Sequence, residues 1–278
     1  MGEPIKIDRA LLEAAPKIKL SRRGIICGLA AGTVFPIVSG CATNPYTGES
    51  ELNFFSDAQI GEMAAAAWSD MKSQTPQTSD PQLRNAVLRT WSRIERVTPK
   101  AGERWDVAIF DTPDVNAFVM PGNRVGVYRG MVELAENDDQ LSAVLGHEIG
   151  HSVYNHAGRR MSRAVLAQAA LVAGQVAVSQ SEDLNRYGSL ITALGGAAVQ
   201  FGVVLPYSRE SELEADRAGV DYMYDAGYEV SQSVRLWQVM GAKSAGQRQP
   251  EFMSTHPDPS RRADELARYI NAKGYALI

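Results

Sequence analysis

The chain has 278 residues, 45% of them hydrophobic and 22% charged, with a formal net charge of −4. Such a composition is that of an ordinary globular protein with ample material for a core. The acidic balance argues against a nucleic-acid binder, which would carry a basic surface, so no nucleic-acid partner is expected.

Residues 1–23 are polar and end in Lys17, Lys19, Arg22 and Arg23; residues 24–40 are an uncharged, Gly-rich run of 17 broken by Pro36. A positive flank before a short apolar core is the pattern of an export signal, and 17 residues are marginal for a spanning helix. The run ends in Val38-Ser39-Gly40-Cys41, which resembles the lipobox of bacterial lipoproteins. Ser21-Arg22-Arg23-Gly24 also resembles a twin-arginine signal, so the general secretory and twin-arginine routes both stay open. The only cysteines are Cys27, inside this signal, and Cys41, the candidate lipidation site; none is left for a disulfide or a metal. Residues 1–40 carry six Lys or Arg and three Asp or Glu, which leaves about −7 on the rest of the chain. The expected organisation is a signal over 1–40, a lipidated tether over 41–56 and one domain over 57–278.

Within that domain, Ser56-Asp57 can cap a helix running past Trp68, and Leu83, Val87, Leu88, Trp91 and Ile94 follow at helical spacing. Trp105 to Phe110, Asn116 to Met120 and Val125 to Tyr128 read as three strands of a small meander, with Pro121-Gly122-Asn123 as a turn. Asn137-Asp138-Asp139 can cap the next helix, predicted to run to about Asn155. That helix carries His147-Glu148-Ile149-Gly150-His151. Two histidines at i and i+4 share a face and can reach one ion, while Glu148, about 100° around, can face a water bound there. In this pattern the histidines bind Zn2+ and the glutamate is the general base of a metalloprotease. Three of the chain's four histidines, His147, His151 and His156, fall in this one short stretch. Apolar blocks over 164–178 and 190–205 follow; each is short for a membrane span, and a helical pair packed over the active helix is expected.

A zinc protease site needs a third protein ligand. A histidine six residues after His151, the metzincin solution, would fall at Ala157, and His156 lies about 180° from His147 on a continuous helix. His156 is therefore expected to cap the helix or hydrogen-bond in the core. The segment Ser208 to Gly219 offers a carboxylate instead. Glu212 and Asp216 lie one turn apart on one face, with Glu210 and Glu214 on the other side. Glu212 can be the third ligand, and Asp216 can accept the ring N–H of a zinc-bound histidine.

Taken together these motifs resemble the gluzincin-type zinc metallopeptidases of the HtpX, Oma-type and CAAX prenyl protease family. The resemblance is carried by Asn116-Ala117-Phe118 with Pro121-Gly122, by His147 through His156, by Ser208 through Asp216, and by Ser254-Thr255-His256-Pro257. With the lipobox, the branch is similar to the periplasmic lipoprotein proteases LoiP and BepA. The resemblance implies an α+β, mostly helical metalloendopeptidase domain with a small β-sheet beside the active-site helix. It implies one zinc held by His147, His151 and Glu212, and Glu148 as catalytic base. His256 would lie near the metal, as a brake or as oxyanion support. Asn116, Ala117 and Phe118 are candidates for a strand that binds substrate by edge addition. Implied partners are polypeptides, above all misfolded envelope proteins, and the membrane through a lipid on Cys41. The implied location is the bacterial envelope facing the periplasm; Ala42, in place of Asp, points to the outer membrane.

Overall fold

The protein is described by a computed structural model covering residues 41–43, 50–52, 57–163, 207–244, 250–256 and 259–275. The export signal and the apolar blocks over 164–178 and 190–205 lie outside the described residues. Two short strands, β1 (Cys41–Thr43) and β2 (Ser50–Leu52), pair antiparallel with Cys41 opposite Leu52, so part of the expected tether is a hairpin. Helix α1 (Asp57–Gln74) and helix α2 (Pro81–Glu95) follow. Asp80 caps α2, its Oδ1 accepting the N–H of Gln82 at 2.7 Å, and Pro81 sets the first helical φ. One stripe of α2 (Val87, Trp91 and Ile94) is buried, at the spacing the sequence shows.

Three strands come next: β3 (Asp106–Phe110), β4 (Ala117–Met120) and β5 (Arg124–Tyr128). Their order is β3-β5-β4, with β3 parallel and β4 antiparallel to β5. The expected meander is therefore corrected: β5, not β4, is the centre. The reason lies in the connection 111–116, which passes the end of β5. Gly130 donates to the Thr112 carbonyl at 3.0 Å and Tyr128 to that of Asn116 at 3.0 Å, so the connector is stitched to the C-terminal end of β5. A Cβ at residue 130 would sit 2.1 Å from the Pro113 carbonyl oxygen, so only glycine admits this approach. The outer edge of β3 is covered by residues 76–78, through Thr78 to Ile109 and Asp111 to Pro76 bonds of 2.8 Å each. Strand β4 keeps the other edge.

After the short helix α3 (Arg129–Leu134) comes α4 (Asp138–Val153), buried along most of its length. Asn137 caps it, accepting the N–H of Gln140 at 2.8 Å. Helices α5 (Arg209–Asp225), α6 (Ser231–Ser244), α7 (Glu251–Thr255) and α8 (Pro259–Lys273) complete the described fold. None of the described helices is long and apolar enough to cross a membrane.

Helices α4 and α5 approach through small residues. A Cβ on Gly146 would lie 3.1 Å from the Gly219 Cα, and one on Gly150 would lie 3.1 Å from the Ala215 Cα. Backbone meets backbone there, and that closeness brings the carboxylates of α5 within reach of the histidines of α4. Around this pair, a single core cluster gathers Trp91, Leu145, Met223, Trp237, Phe252 and Ile270 among others.

Candidate metal centre

His147 and His151 project from one face of α4, and both are buried. Their Nε2 atoms are 2.9 Å apart. Glu212, on α5, stands 3.6 Å from His147 Nε2 and 3.5 Å from His151 Nε2. His256 follows α7 as the residue that ends this short helix. The Phe252 N–H donates to the Val115 carbonyl at 3.1 Å, and the Phe252 ring stacks on His256 with centroids 4.4 Å apart. His256 Nδ1 is thereby held 3.0 Å from Glu212 Oε2 and 3.2 Å from His147 Nε2.

These four residues offer ligand atoms all within 4.8 Å of one another. The fit to zinc can be checked by distance. Ligands about 2.0–2.1 Å from a tetrahedral ion lie roughly 3.3 Å from each other, and the separations of 2.9–3.6 Å bracket that value. Charge agrees. Burial, with Arg262 close by, lowers His147 to about 4. Burial and the neighbouring histidines put His151 well below its ordinary value, so both rings are neutral near pH 7. His147 Nδ1 faces the Asp216 carboxylate at 3.0 Å, which leaves the Nε2 lone pair aimed at His151. A cation, rather than a hydrogen bond, suits two imidazole lone pairs directed at each other.

Asp216 is held ionised: Arg262 and His147 bring it down to about 2 against the opposing effect of burial. Arg262, on α8, donates Nε to Asp216 Oδ2 at 2.8 Å and places NH1 2.8 Å from Glu212 Oε2. Its guanidinium lies 3.7 Å from the Trp237 ring centroid. Burial works against ionisation of Glu212 too, yet His256 and Arg262 hold its carboxyl below the ordinary value. No short-range pattern points to Arg262, which joins the site from 46 residues beyond Asp216.

Glu148 is buried beside this cluster, and burial raises its carboxyl to about 7. Oε2 accepts the backbone N–H of Val119 on β4 at 3.0 Å. Oε1 has no hydrogen-bond partner among the described residues and lies 3.5 Å from His256 Nε2. Since Val119 turns its N–H away from β5, its second neighbour Ala117 does the same, while Asn116 and Phe118 turn toward β5. Of the three substrate-strand candidates, Ala117 is thus the one whose backbone faces away from β5, but it is buried. The Phe118 ring packs instead with Trp68, Phe110 and Tyr128.

One expectation about the rear of the site needs correcting. Helix α4 stops at Val153, and Asn155 takes a φ of 47°, a left-handed turn that Asn tolerates. The helical run 156–163 therefore restarts on a new axis, and His156 does not project 180° from His147. It hydrogen-bonds in the core, Nδ1 lying 2.7 Å from His151 Nδ1. Glu214, on the side of α5 away from Glu212, is buried, 2.9 Å from His156 Nε2 and 2.7 Å from Arg159 Nη1. Glu210 is exposed.

Comparison with known proteins agrees with this arrangement. The family model described as Peptidase family M48 matches residues 77–270. The bovine protein "Metalloendopeptidase OMA1, mitochondrial" is 30% identical over 240 residues, 82% of this chain and 45% of that protein. "Metalloprotease YcaL" of Escherichia coli is 30% identical over 158 residues, 57% of this chain and 59% of that protein. "Beta-barrel assembly-enhancing protease" of the same organism is 23% identical over 250 residues, 88% of this chain and 51% of that protein. The chain spans about half the length of these relatives. With a family model covering 194 of its 278 residues and the metal cluster inside the matched region, this chain belongs to peptidase family M48.

Proposed function

We propose that the protein is a zinc-dependent metalloendopeptidase, with His147, His151 and Glu212 as ligands and Glu148 as general base. The observation that carries this reading is the pairing of a metal-competent cluster with a buried, unengaged carboxylate oxygen, Glu148 Oε1, next to a strand edge. Zinc, when bound, polarises the scissile carbonyl and acidifies the attacking water. Every other task falls to the chain. The edge of β4 beside the cluster aligns an extended peptide by backbone pairing, which gives affinity with little sequence preference; the Val119 N–H itself is taken by Glu148. Glu148 takes a proton from the water and returns it to the leaving amine. Asp216 and Arg262 keep His147 and Glu212 in place. Purified full chain should cleave casein, lose that activity to a chelator and recover it with zinc; cleavage unaffected by metal removal would refute the reading.

The substrates in this proposal are misfolded envelope proteins, and the protein is a lipoprotein facing the periplasm, anchored through Cys41 in the outer membrane. The lipobox-like Val38-Ser39-Gly40-Cys41 and the similarity to two Escherichia coli proteases support this placement over the mitochondrial setting of the OMA1 relatives. Mass spectrometry of the native form should find acyl chains on residue 41, and an unmodified terminus elsewhere would discard the anchor.

One observation favours a second reading, a chaperone-like outer-membrane assembly factor whose zinc site is latent. His256 is buried within the ligand set, so it competes for the place where water must enter. The two readings part at Glu148, because a structural or latent metal needs no base.

A further inference from the structure

The two histidines of the metal set are held from behind in different ways. His147 Nδ1 meets the Asp216 carboxylate directly. His151 Nδ1 meets another imidazole, Nδ1 of His156, at 2.7 Å. Behind that ring His156 Nε2 lies 2.9 Å from Glu214 Oε2, and the same oxygen accepts from Arg159 NH1 at 2.7 Å. His151, His156, Glu214 and Arg159 are all buried, so each polar atom depends on its protein neighbours.

Hydrogen-bond inventory fixes the protons along this line. A carboxylate paired with a guanidinium only accepts, so His156 Nε2 must be the donor. A neutral ring protonated there carries a lone pair on Nδ1. His151 Nδ1 must then donate to it, which leaves His151 Nε2 as a lone pair facing His147 and Glu212. Among the described residues, His151 Nδ1 is hydrogen-bonded to a ring and not to a carboxylate; its tautomer is set by a carboxylate one ring away.

We propose that His156 and Glu214 are positioning residues of the metal centre: Glu214 fixes the tautomer of His156, and His156 fixes the tautomer and ring plane of His151. Each metal histidine is thus steered by its own carboxylate of α5 and its own arginine, Asp216 with Arg262 for His147 and Glu214 with Arg159 for His151. The break at Asn155 makes the second line possible by swinging His156 back against His151. This inference rests on the reading that His151 holds zinc through Nε2.

Two measurements on the full chain test it. Long-range 1H–15N spectra of histidine-labelled protein, with and without zinc, should place the His156 proton on Nε2 and the His151 proton on Nδ1. Zinc affinity, read by competition with a chromogenic chelator, should fall about 10- to 100-fold in His156→Phe, which keeps the ring volume and loses both nitrogens. His156→Gln, which retains an acceptor and a donor, should recover most of that affinity. A His156 proton on Nδ1, wild-type zinc binding by His156→Phe, or equal weakening by both substitutions would overturn the relay. Should His156→Phe fail to fold, the spectrum of the unaltered chain decides alone. Failure of the unaltered chain to bind zinc would strike the proposed function instead, and the metal-free spectrum would still judge the relay.

Discussion

The backbone N–H of Val119 donates to Glu148 Oε2 at 3.0 Å, so the outer edge of β4 and the proposed base are a single construction. One carboxylate oxygen is spent on fixing the side chain, and the other faces the metal cluster. Val119→Pro removes that N–H and replaces the Val side chain by a ring, on an edge strand where proline is tolerated. Loss of a hydrogen bond to a charged group costs about 1.5–3 kcal/mol. The expected result is kcat/KM down by about 10- to 100-fold with zinc content unchanged, measured on a peptide substrate.

The close approach of α4 and α5 should be as sensitive as the chemistry. In Gly146→Ala the new methyl meets the Gly219 backbone at 3.1 Å, and backbone cannot swing aside as a side chain can. Overpacking of this kind costs about 1–3 kcal/mol. Urea denaturation should find that loss, together with weaker zinc binding as α5 is pushed from α4.

Among the acidic residues of α5, Glu212→Ala should abolish zinc binding, whereas Glu210→Ala, at an exposed position, should leave it unchanged. Metal analysis after dialysis distinguishes them. Full zinc retention by Glu212→Ala would move the third ligand elsewhere.

His256 Nδ1 stands 3.0 Å from Glu212 Oε2 and 3.2 Å from His147 Nε2, inside the ligand set, which favours a brake over oxyanion support. His256→Ala is expected to cleave peptides faster than the unaltered chain with zinc retained. A fall on the order of 10²-fold would assign His256 to the oxyanion instead.

What the sequence could convey followed from range. His147, His151, Glu212 and Asp216 were legible because i, i+4 spacing on a helix is a local geometric fact. Strand limits and the Asn137 cap were legible for the same reason. The order β3-β5-β4 was not, since it depends on how the connection 111–116 is stitched to β5 through Gly130 and Tyr128. His156 was misplaced because a rotation angle assumes an unbroken helix, and the left-handed Asn155 breaks it. Arg262 lay beyond any local pattern: a buried guanidinium on α8 is recruited by two carboxylates on α5, and only the packed fold brings them together.

The proposed function makes Glu148 the base for peptide-bond hydrolysis at this site. The most direct test measures zinc content and casein cleavage on the same preparations of the unaltered chain and Glu148→Gln. The amide fills the same space and still accepts from Val119, but it takes no proton. Equal zinc in both, with cleavage by the variant lower by about 10²- to 10⁴-fold, is the predicted result. Undiminished cleavage by Glu148→Gln at equal zinc would contradict it.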